Sequence, residues 1–179
     1  MKNLAIFASG NGSNFETIAK EIPVSILVCD NPNAKVIERA ERLGIETYIV
    51  DTKKSKELFE TEILEKLKKH NIQFIALAGY MRLIGKTLLN AYENKIVNIH
   101  PSLLPSFKGT DGIKQAFEYG VKYTGVTVHY VDNGMDTGKI IAQSIVPIEE
   151  KDTIESLSYK IHKEEHILYV KVLKELLTK

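Results

Sequence analysis

Three clusters of residues in this chain have types and spacings suited to chemistry. The first is Ser9-Gly10-Asn11-Gly12-Ser13-Asn14, which follows an apolar run and leads into a helical pattern. Glycines there let successive backbone N–H groups turn toward one point, and a helix N-terminus adds positive potential. An anion, most naturally a monophosphate, suits that concavity. A dinucleotide fingerprint needs a third glycine where Phe15 stands, and a P-loop needs Gly-Lys-Ser/Thr where the chain has Phe15-Glu16-Thr17. The other reading is a plain tight turn between strand and helix. The second cluster is Asn98 and His100, which share one face of a strand. An amide beside an imidazole can stabilise an oxyanion; equally, Asn98 can cap the strand end while His100 bonds backbone. Asp136, in a later turn-rich stretch, is the acid that would hold the imidazole in orientation and charge. The third cluster is His162-Lys163-Glu164-Glu165-His166. It matches the helical zinc pattern H-x-x-E-H, but no third ligand presents itself and no metal is expected. Glu165 falls on an apolar stripe, where a carboxylate needs a partner such as a ligand hydroxyl or amine. His70, at a helix end, and His129, inside a strand, are assigned structural roles. Without a G-x-S-x-G elbow, and with Cys29 inside an apolar strand, a protein nucleophile is not expected.

Positions this far apart in sequence need a scaffold that gathers them. Leu4–Ala8, Val24–Val28, Ile45–Val50, Phe74–Ala78 and Ile96–Ile99 are apolar runs of strand length, separated by helical patterns. The clearest helix starts at Ser55, its N-cap, and runs to Lys69. Continuous apolar strands alternating with helices predict a mostly parallel sheet with both faces covered. After a long irregular segment, His100–Gly112, the runs Gly125–Val131 and Lys139–Val146 flank DNGMDTG as an antiparallel pair would. A terminal helix is predicted from Asp152, with Glu155 completing a capping box and a stripe of Ile154, Leu157, Ile161, Leu168, Val172 and Leu176. The fold class is α/β: a single Rossmann-like domain over 1–179, with an antiparallel hairpin near the C-terminus and a terminal helix. Its first half, 1–99, carries the phosphate-binding βαβ units; its second, 100–179, carries the catalytic loop, hairpin and terminal helix. Ligands bind such sheets at the carboxyl ends of the strands, where the glycine loop and His100 both fall.

Composition narrows the classes further. With 44% hydrophobic and 26% charged residues the chain can bury an ordinary core, which excludes disorder. Its 24 Lys+Arg against 23 Asp+Glu create no global field for nucleic acid or an anionic membrane. A single cysteine forms no intrachain disulfide, and no apolar stretch approaches the ~18 residues of a membrane span or forms a signal peptide. A cytoplasmic location is expected.

SGNGSN at 9–14, LAGYMRL at 77–83, NIHPSLLPSFKG at 98–109, GVTVHYVDNGMDTG at 125–138 and EEHILY at 164–169 follow one another along the chain. In these motifs the sequence closely resembles the folate-dependent formyltransferases and, through SGNGSN, their phosphoribosylglycinamide branch. The resemblance implies transfer of a formyl group from 10-formyltetrahydrofolate, a co-substrate, to the amine of glycinamide ribonucleotide. It implies that Gly12, Ser13 and Asn14 hold the phosphate and that Asn98, His100 and Asp136 form the catalytic set. His162, Lys163, Glu164 and Glu165 would contact the ribonucleotide, with Glu165 at the ribose hydroxyls. Met81, Arg82, Leu83 and Ile84, with Asp132, Asn133, Gly134, Met135, Asp136 and Asn98, would line the folate cleft, and Lys56 would stand near the folate tail. The two small-molecule substrates are the only partners implied. Two sister enzymes share the core. Methionyl-tRNA formyltransferase adds a tRNA-binding domain; formyltetrahydrofolate deformylase adds a regulatory domain and usually carries a histidine where Pro101 stands. Chain length and the glycine loop argue against both. A non-catalytic nucleotide-binding module, with Asp30 as ribose ligand, is the reading from a different class. Lys139 stands where the family commonly has proline, a change expected to loosen the loop end.

Overall fold

Apolar runs become strands, and the amphipathic segments between them become helices. A computed structural model describes residues 1–178. The elements are β1 (Leu4–Ala8), α1 (Ser13–Glu21), β2 (Val24–Cys29), α2 (Lys35–Arg42), β3 (Thr47–Ile49), α3 (Lys56–Lys69), β4 (Phe74–Leu77), α4 (Lys86–Ala91), β5 (Ile96–His100), α5 (Gly112–Tyr119), β6 (Tyr123–Tyr130), β7 (Ile140–Pro147) and α6 (Ile154–Thr178). One seven-stranded sheet has the order β3-β2-β1-β4-β5-β6-β7. β1 to β5 are parallel, and β6 pairs antiparallel with both β5 and β7. The edge strand β3 is shorter than its apolar run: Thr47–Ile49 are in register with Leu27–Cys29 of β2, and Glu46 O and Val50 N extend the pairing by one bond at each end.

Alternation along β1 shows how the sheet divides two cores. Leu4, Ile6 and Ala8 face Phe15, Ile18 and the buried stripe of α6. Ala5 and Phe7 face Phe59, Ile63 and Leu67 of α3 and Leu88 of α4. Since β1 lies between β2 and β4, the chain leaves the sheet in opposite directions at its centre. The loops after β1 and β4 diverge there and open a crevice at the strands' carboxyl ends.

The caps differ in one place from the sequence pattern. Ser55 caps α3 as expected, its Oγ accepting from Leu58 N at 3.4 Å. α6 is capped one residue later than Asp152: Thr153 Oγ1 accepts from Ser156 N, and Ser156 Oγ accepts from Thr153 N. Ser156, not Glu155, completes the box, and Asp152 instead accepts from Glu149 N, Ser156 Oγ and Lys160 Nζ. The buried stripe of α6 also takes in Tyr169, Leu173 and Leu177, while Leu176 is only half-buried.

Tyr169 ties α6 to the active edge of the sheet. Fully buried, its hydroxyl points at Leu77 O (2.8 Å) and Val97 O (3.2 Å), at the ends of β4 and β5. Tyr169→Phe leaves two carbonyls without that donor. We expect it to lower the unfolding free energy by about 1 kcal/mol, measured by urea denaturation; an unchanged midpoint would show that the hydroxyl carries no stability.

Candidate active site

The glycine loop is shaped by one residue. Gly12 adopts φ +79°, and a Cβ there would stand 2.5 Å from Val36 Cγ2 and 2.9 Å from Val36 Cα, so glycine is required on both counts. α1 has no side-chain N-cap, which leaves the N–H groups of Ser13, Asn14 and Phe15 without acceptors inside the helix. α2 braces the loop from outside. Val36 N–H donates to Gly10 O at 3.0 Å, and Arg39 donates to Asn11 O at 2.7 Å and Asn11 Oδ1 at 3.2 Å.

The polar centre comes from the β5–β6 pairing, which sets Asn98 opposite His129 and His100 opposite Thr127. His129 Nδ1 lies 2.8 Å from Tyr130 O, so that nitrogen carries a proton; Nε2 lies between Asn98 Nδ2 at 3.3 Å and Asp136 Oδ1. At least one amide proton of Asn98 remains for a ligand. His100 is buried; its Nε2 donates to Phe107 O at 2.8 Å, and Nδ1 faces Asp136 Oδ2 at 3.4 Å. Asp136 Oδ2 also accepts from Gly109 N at 2.8 Å, while Oδ1 lies 3.7 Å from His129 Nε2. Burial alone would raise the Asp136 carboxyl. The His129 imidazole, the Gly109 N–H and the charge of His100 outweigh it and hold the group below the ordinary value of 3.8. Asp136, Phe107 and Asp111 all take left-handed backbone at φ +54°, +53° and +60°, the kind of strain that collects at functional loops.

Around this centre opens a cavity of about 530 Å³. It is lined by the glycine loop, by Tyr80–Ile84 after β4, by Asn98–Pro101, by the Asp132 and Gly134–Asp136 hairpin turn, and by His162 and Glu165 of α6. Glu165, nearly fully buried, accepts from His162 Nδ1 at 2.7 Å and Asn14 Nδ2 at 3.3 Å, which answers its need for partners. That hydrogen bond to Glu165 holds the His162 imidazole above its ordinary value. Among the described residues no group of three His, Cys, Asp or Glu side chains is arranged to hold a metal ion.

Some expected site residues are not gathered here. Lys163 and Glu164 do not line the cavity, because on α6 only positions three apart, His162 and Glu165, face it together. Glu164 turns to β7 and accepts from Ser144 Oγ at 2.6 Å. Asn133 lies at the outer tip of its turn, and Lys56 on α3 stays outside the cavity. Asp30 Oδ2 is engaged by Arg82 Nε at 2.8 Å, and the residue does not line the cavity. At the loop end the Lys139 carbonyl accepts from Tyr130 N at 2.9 Å, and Thr137 Oγ1 donates to Asp132 Oδ1 at 2.7 Å. Sequence alone misses His129, which belongs to the polar centre as well as to the strand, and Ser9, whose Oγ accepts from Met81 N at 2.9 Å. His129 was findable from its alternation with Thr127, given the β5–β6 register.

The family model for formyl transferase matches residues 2–173. The chain belongs to the formyl transferase family. It is similar, at 55% identity over 99% of its length and 95% of the relative's, to phosphoribosylglycinamide formyltransferase of Bacillus subtilis. The crystal structure of glycinamide ribonucleotide transformylase 1 from Geobacillus kaustophilus superposes with a TM-score of 0.95 at 57% identity, covering 99% of each chain. That of phosphoribosylglycinamide formyltransferase from Streptococcus pneumoniae gives 0.96 at 48%, covering 98% of this chain and 99% of the other. The Asp136 carboxylate is the group around which the polar centre of this cavity is organised.

That carboxylate gives a pH signature. Because its folded value is depressed, its contribution to stability is complete above 3.8 and is lost as pH falls through the lower folded value. The stability difference between wild type and Asp136→Asn should therefore stay level at neutral pH and shrink in acid below 3.8. Denaturation midpoints of both proteins across that range check it; a gap independent of pH would mean the charge contributes nothing.

Proposed function

We propose that this cavity binds 5'-phosphoribosylglycinamide and 10-formyltetrahydrofolate side by side and transfers the formyl group to the glycinamide amine. The products are formylglycinamide ribonucleotide and tetrahydrofolate, a step of purine biosynthesis carried out in the cytoplasm. One observation carries the reading: an anion-ready helix N-terminus, an amide–imidazole–carboxylate centre and an open wall of backbone share a single cavity. The relatives' names supply the acceptor, phosphoribosylglycinamide, and the group transferred; the folate donor is what the resemblance in sequence implies.

In this division of labour, 1–99 supplies the phosphate loop and 100–179 the catalytic loop, hairpin and terminal helix. The N–H groups at Gly12, Ser13 and Asn14 receive the phosphate, and Glu165, held by His162 and Asn14, accepts from the ribose hydroxyls. Met81–Ile84 and the Asp132–Asp136 turn take the folate, whose polar edge meets the unpaired backbone groups of Arg82–Ile84. The amine nitrogen then attacks the formyl carbon, and the carbonyl electrons move onto oxygen. Asn98 Nδ2 and His100 donate to that oxyanion, with Asp136 sustaining the charged imidazole. A proton leaves the new ammonium through water and reaches N10; the C=O re-forms as the C–N10 bond breaks. The chain's own groups do this work, and no metal enters the scheme.

Incubating the purified protein with both substrates, and with water and methionyl-tRNA as alternative acceptors, tests the reading. Formylation confined to the ribonucleotide is expected; equal transfer to water or tRNA would overturn it. Asp136→Asn keeps the size but removes the charge, which matters chiefly in the transition state. It should lower kcat by ~10²–10³ with both KM values nearly unchanged, and a loss confined to KM would remove Asp136 from catalysis. Gly12→Ala displaces the N–H cradle against Val36. It should raise the ribonucleotide KM about tenfold and leave the folate KM alone; equal effects on both would indicate a folding defect instead.

A further inference from the structure

The cavity wall at Arg82–Ile84 has little to hold it by itself. Among the described residues, none of its backbone N–H or C=O groups has a protein partner. Met81 and Leu83 are exposed, and only Ile84 is buried. Arg82 is held through its side chain, by Asp30 Oδ2 at 2.8 Å and against the Phe59 ring, while the backbone of the wall is pinned at its two ends. At the first, Met81 N–H donates to Ser9 Oγ at 2.9 Å. At the second, Gly85 N–H donates to Glu60 Oε1 at 2.6 Å.

Glu60 is an unusual occupant of its place. It is 3% exposed, on a face of α3 otherwise made of Phe59, Ile63 and Leu67, and it does not line the cavity. Burial holds its carboxyl above the ordinary value, only partly offset by the Gly85 N–H, the charge of Lys56 and the Leu88 N–H. α4 begins at Gly85 with no side-chain cap of its own. The Glu60 carboxylate takes that place from across the α3–α4 contact, accepting the N–H groups the helix leaves orphaned. The fit is close: a Cβ on Gly85 would stand 2.6 Å from Glu60 Oε2. A leucine would fill this space without the cost of burying an acid, so the carboxylate is there for its hydrogen bonds. Lys56, one turn earlier, adds its charge on the same side of α3.

We propose that Glu60 is a positioning residue for the folate: by capping α4 in place of a local side chain, it holds the Arg82–Ile84 wall in its ligand-ready position. This rests on the reading of that wall as the folate side of the cavity. The test compares Glu60→Leu, which removes the acceptor, with Glu60→Gln, which keeps it, in the full chain. Steady-state kinetics are run with both substrates, and amide exchange is followed by mass spectrometry over 79–92. Glu60→Leu should raise the KM for 10-formyltetrahydrofolate about tenfold, leave kcat and the ribonucleotide KM nearly unchanged, and speed exchange at Gly85 and Leu88. Glu60→Gln should restore all of these. A merely structural role would lower thermal stability and active fraction without splitting the two KM values. Unchanged exchange in Glu60→Leu, or failure of Gln to restore it, overturns the proposal. Faster exchange with an unchanged folate KM would keep the pin and overturn the folate reading of the wall. Should Glu60→Leu not fold, Gly85→Ala separates the same pair from the loop side, and the same signature is expected.

Discussion

The Asp136 carboxylate is the constraint on which the site depends. One group with four lone-pair directions meets the imidazole of His100 from β5, the imidazole of His129 from β6 and the N–H of Gly109 from the loop between them. Two strands and the loop between them are thereby tied to one group at the carboxyl edge of the sheet. Desolvation opposes keeping such a group charged, and the surrounding donors overcome it. Removing the charge would leave two histidines and a strained loop without a common partner.

The rest of the fold is arranged to bring that edge within reach of two further ligands. Reversal of direction at β1 opens the crevice, and the two loops leaving it have opposite characters. The one after β1 is made of glycine and small polar residues and ends on uncapped N–H groups. The one after β4 is a stretch of backbone whose amides are accepted by Ser9 and Glu60 at its two ends, with the Arg82 side chain held by Asp30 between them. α6 crosses below, anchored by Tyr169 on β4 and β5, and presents Glu165 one helical turn before that anchor. Asn98, His100 and His129 sit on strands, Asp136 on the turn between β6 and β7, and His162 and Glu165 on α6.

Much of this was legible in the sequence, and the boundary follows physical lines. Local patterns carried over well. The buried parallel strands read as unbroken apolar runs, Ser55 as a cap, and Asn98 and His100 as one face of one strand. Gly125–Val131 and Lys139–Val146 read as a pair because the turn between them is rich in glycine and aspartate. What failed to show depends on relations between elements. His129 joins the polar centre only through the β5–β6 register, which no local pattern announces. The phase of α6 excludes Lys163 and Glu164, and the shift of its cap from Asp152 to Thr153 is a one-residue matter of backbone geometry. Glu60 looks like any helix glutamate until α4 is packed against α3.

The most direct measurement is a crystal structure with 5'-phosphoribosylglycinamide and a non-transferring analogue of 10-formyltetrahydrofolate bound together. At present His100 Nε2 donates to Phe107 O, an acceptor that a developing oxyanion should displace. The account predicts the phosphate on the N–H groups of Gly12, Ser13 and Asn14, and the amine about 3–3.5 Å from the formyl carbon. It further predicts the formyl oxygen within about 3 Å of Asn98 Nδ2, with His100 released from Phe107 toward it while Nδ1 stays on Asp136. A formyl oxygen directed to solvent, with His100 still on Phe107 and Asn98 untouched, would contradict it.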